Sequence, residues 1–291
     1  MKYKHVALVS KYHDVQLEQH IVQLAQYLDN LGITVYIDCN ENCDTKNFVD
    51  FTIGKLSDWL DRLELVIVVG GDGTLLSAAR IIANLNIPII GVNRGKLGFM
   101  TDIAADEMLT VINDILLNTS CEIESRSLLF AEVYRNDQVI FKSSALNDIV
   151  ISRGAIGNMI EFDIFIDKQF VLSQKSDGII FSTPTGSTAY SLAAGGPILH
   201  PEAMVFSIVP ICPQSLSNRP LVVNDNVVIE FVLFKDNATQ IHFDGQECFN
   251  LVHQDRVIIK KQVQQLKLIH PSTYNYYNTL RTKLDWSKRV S

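Results

Sequence analysis

Apolar runs and helical spacing alternate through the first third of the chain. The run LVIVV at 65–69 holds consecutive apolar residues dominated by β-branched types, the pattern of a strand buried on both faces of a parallel sheet. HVALVS at 5–10, ITVYID at 33–38 and IPIIGVN at 87–93 read the same way. Between them, Val15, Ile21, Leu24, Ala25 and Leu28 return at helical spacing over 14–31, and Gly32 stops that helix. Leu75, Leu76, Ala79, Ile82 and Ala83 share one face of a second helix that Thr74 can cap. LSDWLDRLE at 56–64 and residues 104–118 also read as helical. This β-α-β rhythm predicts a mostly parallel, Rossmann-like sheet with its ligand beyond the carboxyl ends of the strands.

From about residue 122 the period changes. RSLLFAEVYRND, QVIFKSSALNDIVISRG, MIEFDIFID, KQFVLSQ, VVIEFVLF, TQIHFDGQ and DRVIIKK are strand-like runs broken by polar turns. The tail YNYYNTLRTKLDW returns to helical spacing through Tyr277, Leu280 and Leu284. The expected organisation is an α/β nucleotide-binding domain over 1–122, rejoined by the tail at 271–291, and a β-rich, β-sandwich-like domain over 123–270.

Composition narrows the class. A chain of 291 residues, 47% hydrophobic and 20% charged, is globular. Its net charge of -7 disfavours nucleic acid as an obligatory partner. No apolar stretch approaches the ~20 residues that span a bilayer, and MKYKHVALVS has too short an apolar run for a signal-peptide core. The expectation is a cytoplasmic protein with no membrane partner. Cys39, Cys43, Cys121, Cys212 and Cys248 show no C-x-x-C spacing and read as reduced thiols. The seven histidines lack metal-ligand spacing and read as structural or solvated, so no metal ligand is assigned.

GGDGT at 70–74 joins the strand LVIVV to its helix. At such a turn Gly70, Gly71 and Gly73 let backbone N–H groups of the loop ending at Thr74 approach a phosphate closely. Asp72 complicates that picture. Two unit charges ~4 Å apart repel by roughly 4 kcal/mol at an effective dielectric of about 20, so a passive anion cradle should avoid a carboxylate. Either a divalent cation bridges Asp72 to the phosphates, or Asp72 takes the proton of a hydroxyl attacking phosphorus. Both point to phosphoryl transfer. RGKLGFMTD at 94–102 is a glycine-containing loop able to face the same crevice, where Arg94 and Lys96 either assist the phosphates or are ordinary solvated loop residues.

A second chemical segment, SDGIIFSTPTGSTAYSLAAGGPI, spans 176–198. A strand enters a turn at Pro184 and Gly186, Ser187 or Thr188 can cap a short helix, and Gly195, Gly196 and Pro197 halt it. The hydroxyls of Thr183, Thr185, Ser187 and Thr188 beside free N–H groups suit a polar ligand, although one structural cap would need only one of them. In LNDIV, Asn147 and Asp148 are poor strand formers in a strand-like run. They are either turn residues or adjacent acceptors for sugar hydroxyls.

GGDGT, NDIVI at 147–151, the 176–198 segment, CPQSLSNRPLVV at 212–223 and the tail together, in this order, resemble the bacterial NAD kinase family over nearly the whole chain. The resemblance implies ATP-dependent phosphorylation of the adenosine ribose 2′-hydroxyl of NAD, giving NADP, with a divalent metal, most naturally Mg²⁺. It also implies a homotetramer or homodimer. Residue by residue, it makes Asp72 the proton acceptor and Gly73 a dinucleotide contact, and it puts Asn147 and Asp148 on ribose hydroxyls. Asp177 falls at the nicotinamide end. Lys175, Gln246 and the run Thr188, Ala189, Tyr190, Ser191, Leu192, Ala193 complete the implied NAD contacts. Asp148 stands where many members have glutamate, and Lys175 and Asn158 occupy variable positions. GGDGT alone also fits a lipid kinase of the diacylglycerol type, and a non-catalytic NAD(P) sensor would keep the pocket while losing the base. The hydroxyl-rich segment disfavours the first, and the presence of Asp72 disfavours the second.

Overall fold

The structure, a computed structural model, describes residues 3–11, 15–39, 45–95, 98–117, 121–154, 158–235 and 238–286. In chain order the elements begin with β1 (His5–Ser10), α1 (Val15–Asn30), β2 (Thr34–Asp38), β3 (Thr52–Gly54), β4 (Leu65–Val69), α2 (Asp72–Ile82), β5 (Ile89–Asn93), β6 (Ile103–Ala104), α3 (Met108–Leu117) and β7 (Glu122–Arg126). The β-rich part contributes β8 (Leu129–Arg135), β9 (Gln138–Ala145), β10 (Asp148–Ser152), β11 (Ile160–Ile166), β12 (Gln169–Ser176), β13 (Gly178–Ser182), α4 (Tyr190–Ala193), β14 (Val205–Ile211), β15 (Leu221–Asn224), β16 (Ile229–Lys235), β17 (Gln240–Phe243), β18 (Glu247–Asn250) and β19 (Arg256–Lys261). β20 (Leu266–His270) and α5 (Tyr276–Lys283) end the described order.

The chain divides into two compact units, 1–125 with 266–291, and 126–265. The first is an α/β unit on a sheet of order β3-β2-β1-β4-β5-β20-β7, with β6 against β5. Parallel pairing joins β1, β2, β3, β4, β5 and β6. Every residue of β4 and β5 is buried, which is why their sequences show no polar alternation. Ile21, Leu24, Ala25 and Leu28 of α1 are fully buried in the core of this unit, and Gly32 closes the helix with φ +76.

Four sequence expectations change here. β20 lies in the range expected to be β-rich, yet it pairs in parallel with β5 at Leu268 and Ile89. A short isolated strand such as LKLIH carries no local mark of which sheet it will join. LSDWLDRLE forms only a 3-10 turn over Leu56–Trp59, with Leu56 and Trp59 buried. In α5, Leu280 is buried but Tyr277 is 59% exposed, and the helix is capped by the Asn275 side chain accepting from the Asn278 N–H at 3.0 Å. His270 has the structural role expected of it. Its Nδ1 lies 2.7 Å from Asp102 Oδ2, its Nε2 lies 2.9 Å from Glu124 Oε2, and Tyr274 stacks on its ring. Cys39 is in a disulfide, contrary to the expectation of reduced thiols, whereas Cys121, Cys212 and Cys248 are free; Cys43 lies outside the described residues.

The second unit is two antiparallel six-stranded sheets, β15-β14-β13-β10-β17-β18 and β12-β11-β16-β19-β8-β9. Their facing side chains share one core, including Ile149, Ile151, Phe181, Phe206 and Phe243 from the first sheet and Phe162, Phe231, Val257 and Ile259 from the second. β8 and β11 alternate buried and half-buried residues, as strands with one solvated face do. β13 is buried throughout, because Ile180 on its other face packs with Val150, Val209 and the residue after α4, Ala194. That second covered face positions the candidate site. Phe181 anchors the sandwich with no exposure, so Phe181→Ala should destabilise the protein by about 3–5 kcal/mol, read from the midpoint of urea unfolding at unchanged slope.

Candidate active site

In the α/β unit, Gly71 is the N-cap of α2, so Asp72 is the first helical residue, at the end favourable to negative charge. Thr74, expected as the cap, lies one turn in; its N–H donates to Gly71 O at 2.9 Å and its side chain is buried. The helical face read from the sequence is buried as expected, with Leu75 and Ala79 at zero exposure. Gly70 is needed by the protein itself, since a Cβ there would lie 2.8 Å from Thr74 Oγ1. Gly71 and Gly73 are different. A Cβ on either meets nothing within 4 Å, and neither has the positive φ that excludes other residues.

The charge of Asp72 is met by a compensation that the sequence reading did not weigh. Its carboxylate accepts from Phe99 N–H at 2.9 Å, Met100 N–H at 3.1 Å, Thr101 N–H at 3.1 Å and Thr101 Oγ1–H at 3.0 Å. The loop expected to face the phosphates therefore delivers donors to the carboxylate, and Gly98 makes this approach possible. A methyl group on Gly98 would overlap Asp72 Oδ1 and Thr101 Oγ1. Arg94 is exposed beside this turn, and Lys96 lies outside the described residues.

In the sandwich unit, Leu146 and Asn147 form the corner where the chain leaves β9 for β10 and so changes sheet. The Asp244 carboxylate gathers the corner, accepting from Leu146 N–H at 2.9 Å, Asn147 N–H at 2.7 Å and Asp148 N–H at 3.1 Å. On the other side Asn147 O accepts from Thr183 N–H at 2.9 Å, and Gly186 approaches so closely that any Cβ would overlap Asn147 O. The 183–188 turn is thereby seated on the corner. Around it opens a cavity of about 400 Å³ lined by Asn147, Asp148, Ala189, Tyr190, His242 and Asp244, among others. Its size suits one nucleoside-sized ligand. Burial, and secondarily the negative charge of Asp244, push the Asp148 carboxyl up to about 7.

The remaining expected residues divide. Ala189 and Tyr190 line the cavity, Tyr190 being 48% exposed. Ser191 is fully buried beneath them, Leu192 is half-buried, and Ala193 is exposed. Asp177 is held by Arg153 at 2.7 Å, and Lys175 pairs with Glu161 across neighbouring strands at 3.0 Å. Gln246 and Asn158 are exposed, Gln246 in the turn after β17.

The hydroxyls of the 183–188 turn do not form the ligand-facing cluster expected from their density. Thr183 Oγ1 donates to Leu146 O at 2.5 Å, Ser187 Oγ to Pro184 O at 2.6 Å and Thr188 Oγ1 to Thr185 O at 3.3 Å, while Thr185 Oγ1 accepts from Arg126 at 3.3 Å. The Ser187 and Thr188 hydroxyls thus satisfy the backbone of a tight 3-10 turn at Thr185–Thr188, and the Thr183 hydroxyl ties it to the Leu146 corner. The N-cap of α4 is accordingly Ala189, with no side-chain cap, rather than Ser187 or Thr188; Gly195 ends the segment at φ +86 as expected. Asp244 and His242 were missed. Pairing of Val150 with His242 and of Ile149 with Phe243 puts Asp148, Val150 and His242 on one face, which no local pattern announces.

Comparison with known proteins matches residues 6–119 to the ATP-NAD kinase N-terminal domain and residues 146–271 to the ATP-NAD kinase C-terminal domain. The NAD kinase of Chromobacterium violaceum is 48% identical, over 99% of this chain and 98% of that protein. The NAD kinase of Laribacter hongkongensis is 45% identical, over 99% and 98%. Among solved structures, yeast NADH kinase complexed with NADH superposes with a TM-score of 0.90 at 24% identity, over 100% of this chain and 91% of that one. An NAD kinase from Archaeoglobus fulgidus in complex with ATP gives 0.75 at 23%, over 97% and 98%. At those identities the two structures speak to the fold.

The Asp148–Asp244 pair makes the stability of the protein depend on pH. Because the folded-state value of Asp148 lies above its ordinary 3.8, the folded protein holds this proton more tightly. The contribution is complete below about 3.8 and is lost as pH rises through about 7. Urea unfolding across this window should show wild type losing stability relative to Asp148→Asn, with the difference levelling above about 7. A pH-independent difference would contradict it.

Proposed function

We propose, from the premise that the chain belongs to the NAD kinase family, a division of labour between the residue sets of its two units. The protein is an NAD kinase: it transfers the γ-phosphate of ATP to the 2′-hydroxyl of the adenosine ribose of NAD, producing NADP. In our reading Asp72 is the general base. As the 2′-oxygen bonds to the γ-phosphorus and the bond to the β–γ bridging oxygen breaks, releasing ADP, the hydroxyl proton passes to the Asp72 carboxylate. The observation that carries this reading is the anchoring of that carboxylate by Phe99, Met100 and Thr101 beside two glycines, Gly71 and Gly73, that the protein's own packing does not require. Space beside them is what close approach of backbone to a phosphate needs.

Asn147 and Asp148 hold ribose hydroxyls, Ala189 and Tyr190 form a wall of the dinucleotide pocket, and Gly73 and the Gly70–Thr74 turn serve the substrate and its phosphates. Ser191, buried under the wall, supports it rather than touching ligand. Thr188, Leu192, Ala193, Asp177, Lys175 and Gln246 complete the dinucleotide contacts that family membership suggests. Asp177 and Lys175 reach the ligand while paired with Arg153 and Glu161.

Among the described residues no group of three or more His, Cys, Asp or Glu side chains could hold a metal. In this reading Mg²⁺ would arrive on the triphosphate, where one or two carboxylates besides the phosphate oxygens would suffice to hold it. When bound, the ion neutralises charge on the phosphates. A cytoplasmic homotetramer or homodimer completes the reading. No described helix is long and apolar enough to cross a membrane.

Asp72→Asn should lower kcat by roughly 10² to 10⁴ with little change in KM for NAD, measured with an NADP-specific dehydrogenase as the detector. Near-parental NADP formation would remove Asp72 as the base. Asp148→Ala should instead raise KM for NAD more than it lowers kcat, and unchanged saturation by NAD would take Asp148 out of the ribose site.

A further inference from the structure

Resting on the reading of Asp72 as the base, we infer that Oδ2 is the oxygen that receives the proton, and that Thr101 and Gly98 are the positioning residues that select it. An ionised carboxylate offers about four lone-pair directions, roughly two on each oxygen. Oδ1 accepts from Met100 N–H at 3.1 Å, Thr101 N–H at 3.1 Å and Thr101 Oγ1 at 3.0 Å, so its acceptor capacity is taken. Among the described residues Oδ2 accepts only from Phe99 N–H at 2.9 Å and keeps a second direction for a hydroxyl.

The Thr101 hydroxyl cannot turn away from this duty. Asn93 Oδ1 accepts from Gly95 N–H at 2.8 Å, which orients its amide so that Nδ2 donates to Thr101 Oγ1 at 2.8 Å. With that direction taken by a donor, the Thr101 proton points to the acceptor beside it, Asp72 Oδ1. Thr101 is wholly buried, which shelters the pair of bonds from water. Two glycines bring the turn into reach. A Cβ on Gly91 would overlap Met100 O and lie 2.8 Å from Thr101 Cα, and one on Gly98 would overlap the carboxylate itself. A carboxylate on a helix terminus would otherwise rotate about its last bond and present either oxygen. Here the rotation is fixed, and alignment of the base with the 2′-hydroxyl is obtained before substrate arrives.

The test is a cycle of Thr101→Val and Asp72→Asn, with Thr101→Ser as the conservative variant, assayed for NADP formation under saturating and limiting NAD and ATP. Thr101→Val should lower kcat by about 10- to 50-fold while KM for both substrates stays within about twofold, and Thr101→Ser should recover all but about threefold. In the Asp72→Asn background the Thr101→Val effect should shrink below about twofold, because a residue acting through the carboxylate has nothing left to position. The inference is overturned if Thr101→Val keeps parental kcat, or if it costs the same factor in both backgrounds, as a packing defect would. Near-parental kcat in Asp72→Asn alone would instead overturn the base reading beneath it. Should Thr101→Val not fold, Gly98→Ala takes its place in the same cycle, with the same expected and overturning results.

Discussion

A carboxylate in the place we propose for phosphate is tolerable only if donors that are not the phosphate's own hold it. The structure meets that constraint at Asp72 by bringing the 98–101 turn against the start of α2, so that backbone amides and one hydroxyl converge on a single side chain. Much else in the α/β unit follows. Gly98 and Gly91 lack side chains because the turn must lie against Asp72 on one side and against β5 on the other. Asn93 is a buried polar residue at the end of an otherwise apolar strand because Thr101 needs a donor there. The next residue, Asp102, continues the chain of contacts into the buried His270, which bridges it to Glu124.

The sandwich unit solves a related problem by the same means. At the corner between β9 and β10 the backbone of Leu146, Asn147 and Asp148 cannot join a ladder on both sides, and the side chain of Asp244 takes up all of their N–H groups. In both places a carboxylate gathers successive backbone amides and so fixes a turn that carries site residues. The roles are reversed, however. Asp72, in our proposal the reactive group, is held by a turn, while Asp244 is the holder, and its charge falls on the neighbouring Asp148 as an electrostatic cost.

Wherever periodicity reflects burial, the sequence was informative. The apolar run at 65–69 and the helix after it are read correctly because each residue's neighbours in the chain are also its determinants of environment. The failures share another cause. Hydroxyl density at 183–188 suggested a ligand surface, yet those oxygens are taken up by the turn's own backbone, by Leu146 O and by Arg126. Thr74 suggested a cap, yet Gly71 stands there because the glycine turn, rather than a side chain, begins the helix.

By itself the chain determined the two structural regimes, the glycine turn with its carboxylate, and the family to which these motifs belong, since each is written in adjacent residues or in the order of short segments. Only the folded molecule decided that Asp72 is met by Thr101, that Asp244 secures Asn147 and Asp148, and that β20 completes the parallel sheet. These contacts join residues tens to hundreds of positions apart. Their geometry depends on strand register and on where a missing Cβ lets two backbones meet, and neither is a property of any local stretch.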